Sequence, residues 1–160
     1  MPRKHLASYL NDHLAGAATA LELLKGLEKS HSGTDMGLFA AELRAEVSAD
    51  REVLEALMER LGIARSAPRQ MGGWLAEKAA SLKLHLDDPA DGTFRLLETL
   101  EALSLGIEGK HSLWCALEAT AAVEVELQED YPRLRRRAEE QRRRLEMERL
   151  SAARQALGFS

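Results

Sequence analysis

The chain holds a single cysteine, Cys115, in 160 residues. An internal disulfide is therefore excluded, and a reducing compartment is expected. Aromatic residues make up only 4% of the chain, and Val and Ile never cluster, which argues against a sheet-rich fold. No apolar run approaches the roughly 20 residues that a membrane span needs. The N-terminal MPRKHLASYLNDH carries basic residues but no apolar segment of the kind a signal peptide requires. Cytoplasmic placement is expected. A net charge of −4 gives no bias toward nucleic acid or acidic membranes. There is no Gly-rich phosphate loop, no serine nucleophile elbow and no zinc-finger spacing.

Proline is also sparse. Pro2, Pro68, Pro89 and Pro132 divide the chain into long proline-free stretches, and proline is poorly tolerated inside helices. Leu, Ala, Glu and Arg dominate those stretches and are good helix formers. The balance of 45% hydrophobic and 30% charged residues is that of one folded domain with one core. Apolar residues recur with a helical period. The first helix is expected over about 4–29, with Leu6, Leu10, Ala17, Ala20, Leu24 and Leu27 in one stripe. A turn at SHSGTD follows, in which Thr34 or Asp35 can cap a second helix over about 36–61. Gly62 stands where a helix-terminating glycine belongs. A short helix is expected over about 69–84, inside a long connection ending in the loop DDPADGT. A third helix covers about 93–119 and a fourth about 131–157, the latter opening on Asp130-Tyr131-Pro132. ATAAVEVELQED between them reads as frayed helix or linker. Short turns join antiparallel neighbours, so this layout is an all-α four-helix bundle with one long crossover between its second and third helices.

The seams of these helices are not purely apolar. His13 centres the first stripe, and Glu46 and Asp50 lie on the second. Glu101, Glu108 and His111 fall within the broad apolar arc bounded by Leu103 and Leu105 on the third, and Gln141 and Glu148 on the fourth. Buried carboxylates are costly unless paired, protonated or metal-bound, so a polar cluster is expected in the bundle core. Glu108-x-x-His111 puts a carboxylate and an imidazole on one helix face, as helical metal sites do. With His13, Glu46, Asp50 and Glu101 it could bind Fe, Mn or Zn. The plainer reading is an internal salt-bridge network, such as His13 with Asp50.

The helix layout over about residues 5–157 resembles the ferritin-like superfamily. The segments HLAGA, MGGWLAEKAASLKL and LETLEALSLGIEGKHSLW resemble a bacterial family of helical bundles with no assigned activity. The resemblance implies a ferritin-like bundle with an extra short helix in the crossover. Di-iron members supply one Glu from each of two helices and Glu-x-x-His from each of the others. This chain departs from that pattern. His13 takes the first Glu position, Glu46 is followed by Ala49 where His is required, and the fourth helix has no histidine.

The arginine run Arg133–Arg149 is interleaved with Glu139, Glu140, Glu146 and Glu148. Glu139–Arg143 and Glu140–Arg144 are favourable pairs one turn apart, and no aromatics are interleaved for base stacking. It reads as a solvated face. Cys115 reads as a structural thiol, and Trp74 and Trp114 as packing residues. The expected function is non-enzymatic, through a homodimer or a protein partner, with no cofactor. The alternatives are an atypical carboxylate/His metal protein and a bundle that binds a small molecule in a polar core.

Overall fold

The computed structural model describes residues 2–66 and 92–159, with Glu77, Ala80 and Ser81 between them. Apart from those three positions, the crossover helix expected over 69–84 lies outside the described residues. The described elements are helices α1 (Pro2–Ser30), α2 (Asp35–Arg60), α3 (Gly92–Ala121) and α4 (Tyr131–Leu157), with a 3-10 turn at Val125–Leu127. Among the described residues there is no strand.

The ends of the helices follow from local chemistry. Thr34 caps α2, its hydroxyl accepting from the Gly37 N–H at 3.2 Å. Gly37 itself touches the preceding turn, since a Cβ there would meet the His31 carbonyl oxygen at 2.2 Å. The chain leaves α2 through Gly62, which takes φ +66°, a value costly for any residue with a Cβ. The N–H of Ile63 donates to Met58 O at 2.9 Å and that of Gly62 to Glu59 O at 3.0 Å, which closes the last turn. Asp130 caps α4, accepting from the Arg133 N–H at 3.2 Å. The segment after α3 turns through Val125–Leu127, and the buried Tyr131 donates its hydroxyl proton to Leu127 O. Burial pushes that phenol up to about 12.

The buried side chains form two apolar clusters, one toward each end of the bundle. One joins Leu10 and Leu14 of α1 to Leu57 and Met58 of α2, Leu117 and Ala121 of α3, and Tyr131 and Leu134 of α4. The other joins Leu24 and Leu27 to Ala40 and Leu43, Leu97 and Leu100, and Leu145 and Ala152. The early part of α1 thus meets the late parts of α2 and α3 and the early part of α4. Helices α1 and α4 run one way, α2 and α3 the other. Because α2 and α3 are parallel, α2 ends at the opposite end of the bundle from where α3 begins. Residues 61–91 join those two ends, whereas the α1–α2 and α3–α4 pairs need only short turns. Helix α1 packs closely on α2 and α3 on α4, while α1 and α3 meet over less of their length.

The phase of α3 is sharply defined. Leu100 is wholly buried and Leu105 is 47% exposed. Leu100→Ala is expected to cost about 2–5 kcal/mol of stability, and Leu105→Ala no more than about 0.5 kcal/mol, as measured by urea denaturation. Similar losses from both would contradict this phase.

Candidate functional site

Between the two apolar clusters lies one polar layer. Asp50 of α2, 2% exposed, and Gln141 of α4, fully buried, sit among leucines. Lys110 of α3 reaches between them. Its ammonium donates to Asp50 Oδ2 at 2.6 Å and also to Gln141 Oε1. The Gln141 amide closes the triangle by donating to Asp50 Oδ2 at 3.1 Å. Arg137 Nε lies 3.0 Å from Asp50 Oδ1, but its N–H is not aimed at that oxygen, so the contact is an ion pair without hydrogen-bond alignment. The same guanidinium donates to the Glu46 carbonyl at 2.9 Å. Burial pushes the Lys110 ammonium below the ordinary lysine value, and Asp50 beside it pushes the other way.

The candidates of the sequence reading divide sharply around this layer. Asp50 and Gln141 are in it, as expected of seam positions. Glu46 lies at its edge, held by the Arg144 guanidinium at 2.5 and 2.6 Å. Glu108 faces outward with its side chain 48% exposed and pairs with Arg142. His111 faces Glu139 of α4, Nε2 to Oε1 at 3.1 Å, with Cys115 Sγ 3.9 Å from its other nitrogen. Glu101 meets Arg149 at 3.3 Å, also half exposed, and Glu148 is partly buried nearer the far end. The inward placement of Glu101 and Glu108 is thus corrected. The buried stripe of α3 runs through Leu103, Ile107 and Trp114, and Leu105, taken as its boundary, is on the outside. The His13–Asp50 pair is also replaced. Asp50 is taken by Lys110, Gln141 and Arg137, and His13 stacks edge-on against Tyr9 with ring centroids 4.7 Å apart.

This donor set does not fit a carboxylate-bridged metal pair. Glu46, Asp50, Glu101 and Glu108 each face a lysine or arginine. Among the described residues no three His, Cys, Asp or Glu side chains converge on a point that could hold a metal ion.

The residues that the sequence reading missed are the cations. Lys110 was legible in principle. Leu103, Ile107, Lys110, Trp114, Leu117 and Ala121 follow the alternating four-three spacing of a heptad seam, with Lys110 as its one charged member. The same spacing runs through Ala40, Leu43, Val47, Asp50, Leu54 and Leu57 of α2, through Leu134, Ala138, Gln141 and Leu145 of α4, and through Leu6, Leu10, His13, Ala17 and Ala20 of α1. Each helix contributes one ionisable or amide side chain to the middle of its seam.

Beside the layer, where α1 and α3 stand apart, is a cavity of about 240 Å³. Small residues make the space: Gly16, Ala17 and Ala20 on α1, and Ala102, Gly106 and Gly109 on α3. A Cβ added at Gly16, Gly106 or Gly109 would meet nothing within 4 Å. Leu23, Leu54, Leu103, Leu113 and Trp114 line its walls, with Asp50, Lys110 and His13 among the few polar members. Exposed Asp12, Leu105 and Gly106 also border it, so it opens to the surface. The Trp114 indole N–H is buried with no acceptor among the protein groups. No described helix is long and apolar enough to cross a membrane. No family model, curated protein or solved structure matches the chain.

Burial on the cavity wall lowers the His13 pKa from its ordinary value of 6.5, and Asp12 only partly offsets this. The unfolded chain then binds a proton more readily than the folded one. The stability contributed by neutral His13 is complete above the ordinary histidine value and is lost as pH falls through it toward the folded pKa. Between about pH 7.5 and 5.5 the melting temperature of the wild type should fall more than that of His13→Gln. Parallel falls in a thermal-denaturation series would contradict this.

Proposed function

We propose that this protein is a non-enzymatic, small-molecule-binding bundle of ferritin-like topology, which holds its ligand between α1 and α3. The observation that carries the reading is the cavity of about 240 Å³ beside the polar layer. Ligand sites are concave and mostly apolar, with a few polar groups that set orientation, and in bundles they lie between helices. This cavity has that character. Its walls are leucine, alanine and tryptophan, and its polar groups are gathered around Lys110 and Asp50.

Two further features support it. Each glycine in a helix interior costs about 1 kcal/mol against alanine. Three of them border the cavity, where no neighbour would obstruct a side chain, so close helix packing does not account for them. The topology supports the ferritin-like part of the proposal. Parallel α2 and α3, joined across the length of the bundle, are what one long crossover produces in that class. The polar layer then forms the back of the crevice and keeps α2, α3 and α4 in register, while α1, packed on α2, stands off from α3.

The test is calorimetric titration with octanol, a neutral apolar probe. The wild type is expected to bind it at one site per chain. Gly109→Leu fills the space and should abolish binding while leaving the melting temperature equal or higher, since leucine is the better helix former. Absence of binding in the wild type, or undiminished binding in a folded Gly109→Leu, would overturn the reading.

A further inference from the structure

The hydrogen bonds of the polar layer bear on the chemistry of the ligand that the cavity would take. A lysine ammonium has three N–H donors. Two of those on Lys110 go to Asp50 and Gln141, which leaves one. Trp114, on the same cavity wall, is fully buried, and its indole N–H has no acceptor in the protein. Buried N–H groups are nearly always paired, and Lys110 and Trp114 each keep one donor for which the described residues supply no acceptor.

The charges point the same way. One carboxylate, Asp50, faces two cations, Lys110 at 2.6 Å and Arg137 at 3.0 Å. Glu46 does not redress this, because its carboxylate is taken by Arg144. Of the remaining charged groups that border the cavity, Arg51 is paired with Glu55 at 2.9 Å. Asp12 is exposed, where water screens it. The polar layer at the back of the crevice therefore holds two cations to one carboxylate, with Lys110 on the cavity lining and Arg137 outside it. A ligand oxygen with negative charge would satisfy both donors and the charge, and charge-assisted bonds of this kind are the strong ones.

We infer that the cavity takes an amphipathic monocarboxylate, its apolar body lying between α1 and α3 and its carboxylate accepting from Lys110 and the Trp114 indole. This inference rests on the cavity reading above, and the probes separate the two. Octanoate, octanol and octylammonium share a tail and differ in the head group. Each is titrated into the ¹⁵N-labelled wild-type chain, with the Trp114 indole resonance identified by its absence in Trp114→Phe. Octanoate is expected to bind at least about tenfold more tightly than octanol, consistent with hydrogen bonds to a charged group, and octylammonium more weakly than either. Octanoate alone should move the Trp114 indole proton downfield. Trp114→Phe keeps an aromatic ring in the wall and should reduce the preference for octanoate over octanol. Equal binding of octanoate and octanol, tighter binding of octylammonium, or an unmoved indole resonance at saturation overturns the carboxylate assignment and leaves the cavity reading standing. Binding of none of the three overturns both.

Discussion

The ion pair between Asp50 and Lys110 is the constraint around which the rest of the bundle is arranged. A carboxylate and an ammonium have been placed among leucines, where each alone would be costly. They are tolerated because they meet each other, because Gln141 bonds to both, and because Arg137 stands on the other carboxylate oxygen. Such a group is a poor source of net stability, since desolvation consumes most of the attraction. Its effect is on alignment. A slip of one heptad between α2 and α3 would leave Lys110 facing Leu43 or Leu57 and Asp50 without its ammonium. Apolar seams alone discriminate weakly between registers, because one leucine fits much like another.

Stability comes from what lies on either side. The two apolar clusters take in residues from all four helices, and the polar layer lies between them. The exposed faces add ion pairs such as Arg142–Glu108 and Arg135–Glu118. Pairs so open to water contribute little each. They do explain why the arginine-rich α4 is a solvated face: its guanidiniums are largely occupied by glutamates of α2, α3 and α4 itself. The contact of α1 with α3 is looser than that within either antiparallel pair, and the glycines and alanines there leave the cavity.

Much of this was legible in the residues, and the misses share a cause. Helix ends were marked by local chemistry that does not depend on the rest of the fold: Thr34, Gly62 and the proline of Asp130-Tyr131-Pro132. The seams were marked by leucine spacing, which placed Asp50 and Gln141 inside. Glu108 and Lys110 are two residues apart, some 200° around a helix, so the choice between them rests on the phase of the stripe. A broad arc drawn out to Leu105 favoured Glu108, whereas the strict alternation through Leu103, Ile107 and Trp114 selects Lys110. Glu-x-x-His drew attention because metal sites use that spacing. Its two members instead meet separate partners on α4, Arg142 and Glu139. Which cation meets Asp50 depends on the packing of three helices, and no single helix carries that information. The cavity likewise arises from a separation between α1 and α3 that small residues permit but do not announce.

Asp50 and Lys110 act as one unit in the middle of the bundle. A double-mutant cycle with Asp50→Leu and Lys110→Met, read by urea denaturation, tests this most directly. Asp50→Leu strands Lys110 and is expected to cost about 3–5 kcal/mol, Lys110→Met costs less because Arg137 remains on Asp50, and the double variant should lose less than the sum. Additive losses, or single variants as stable as the wild type, would show that the pair does not hold the layer together.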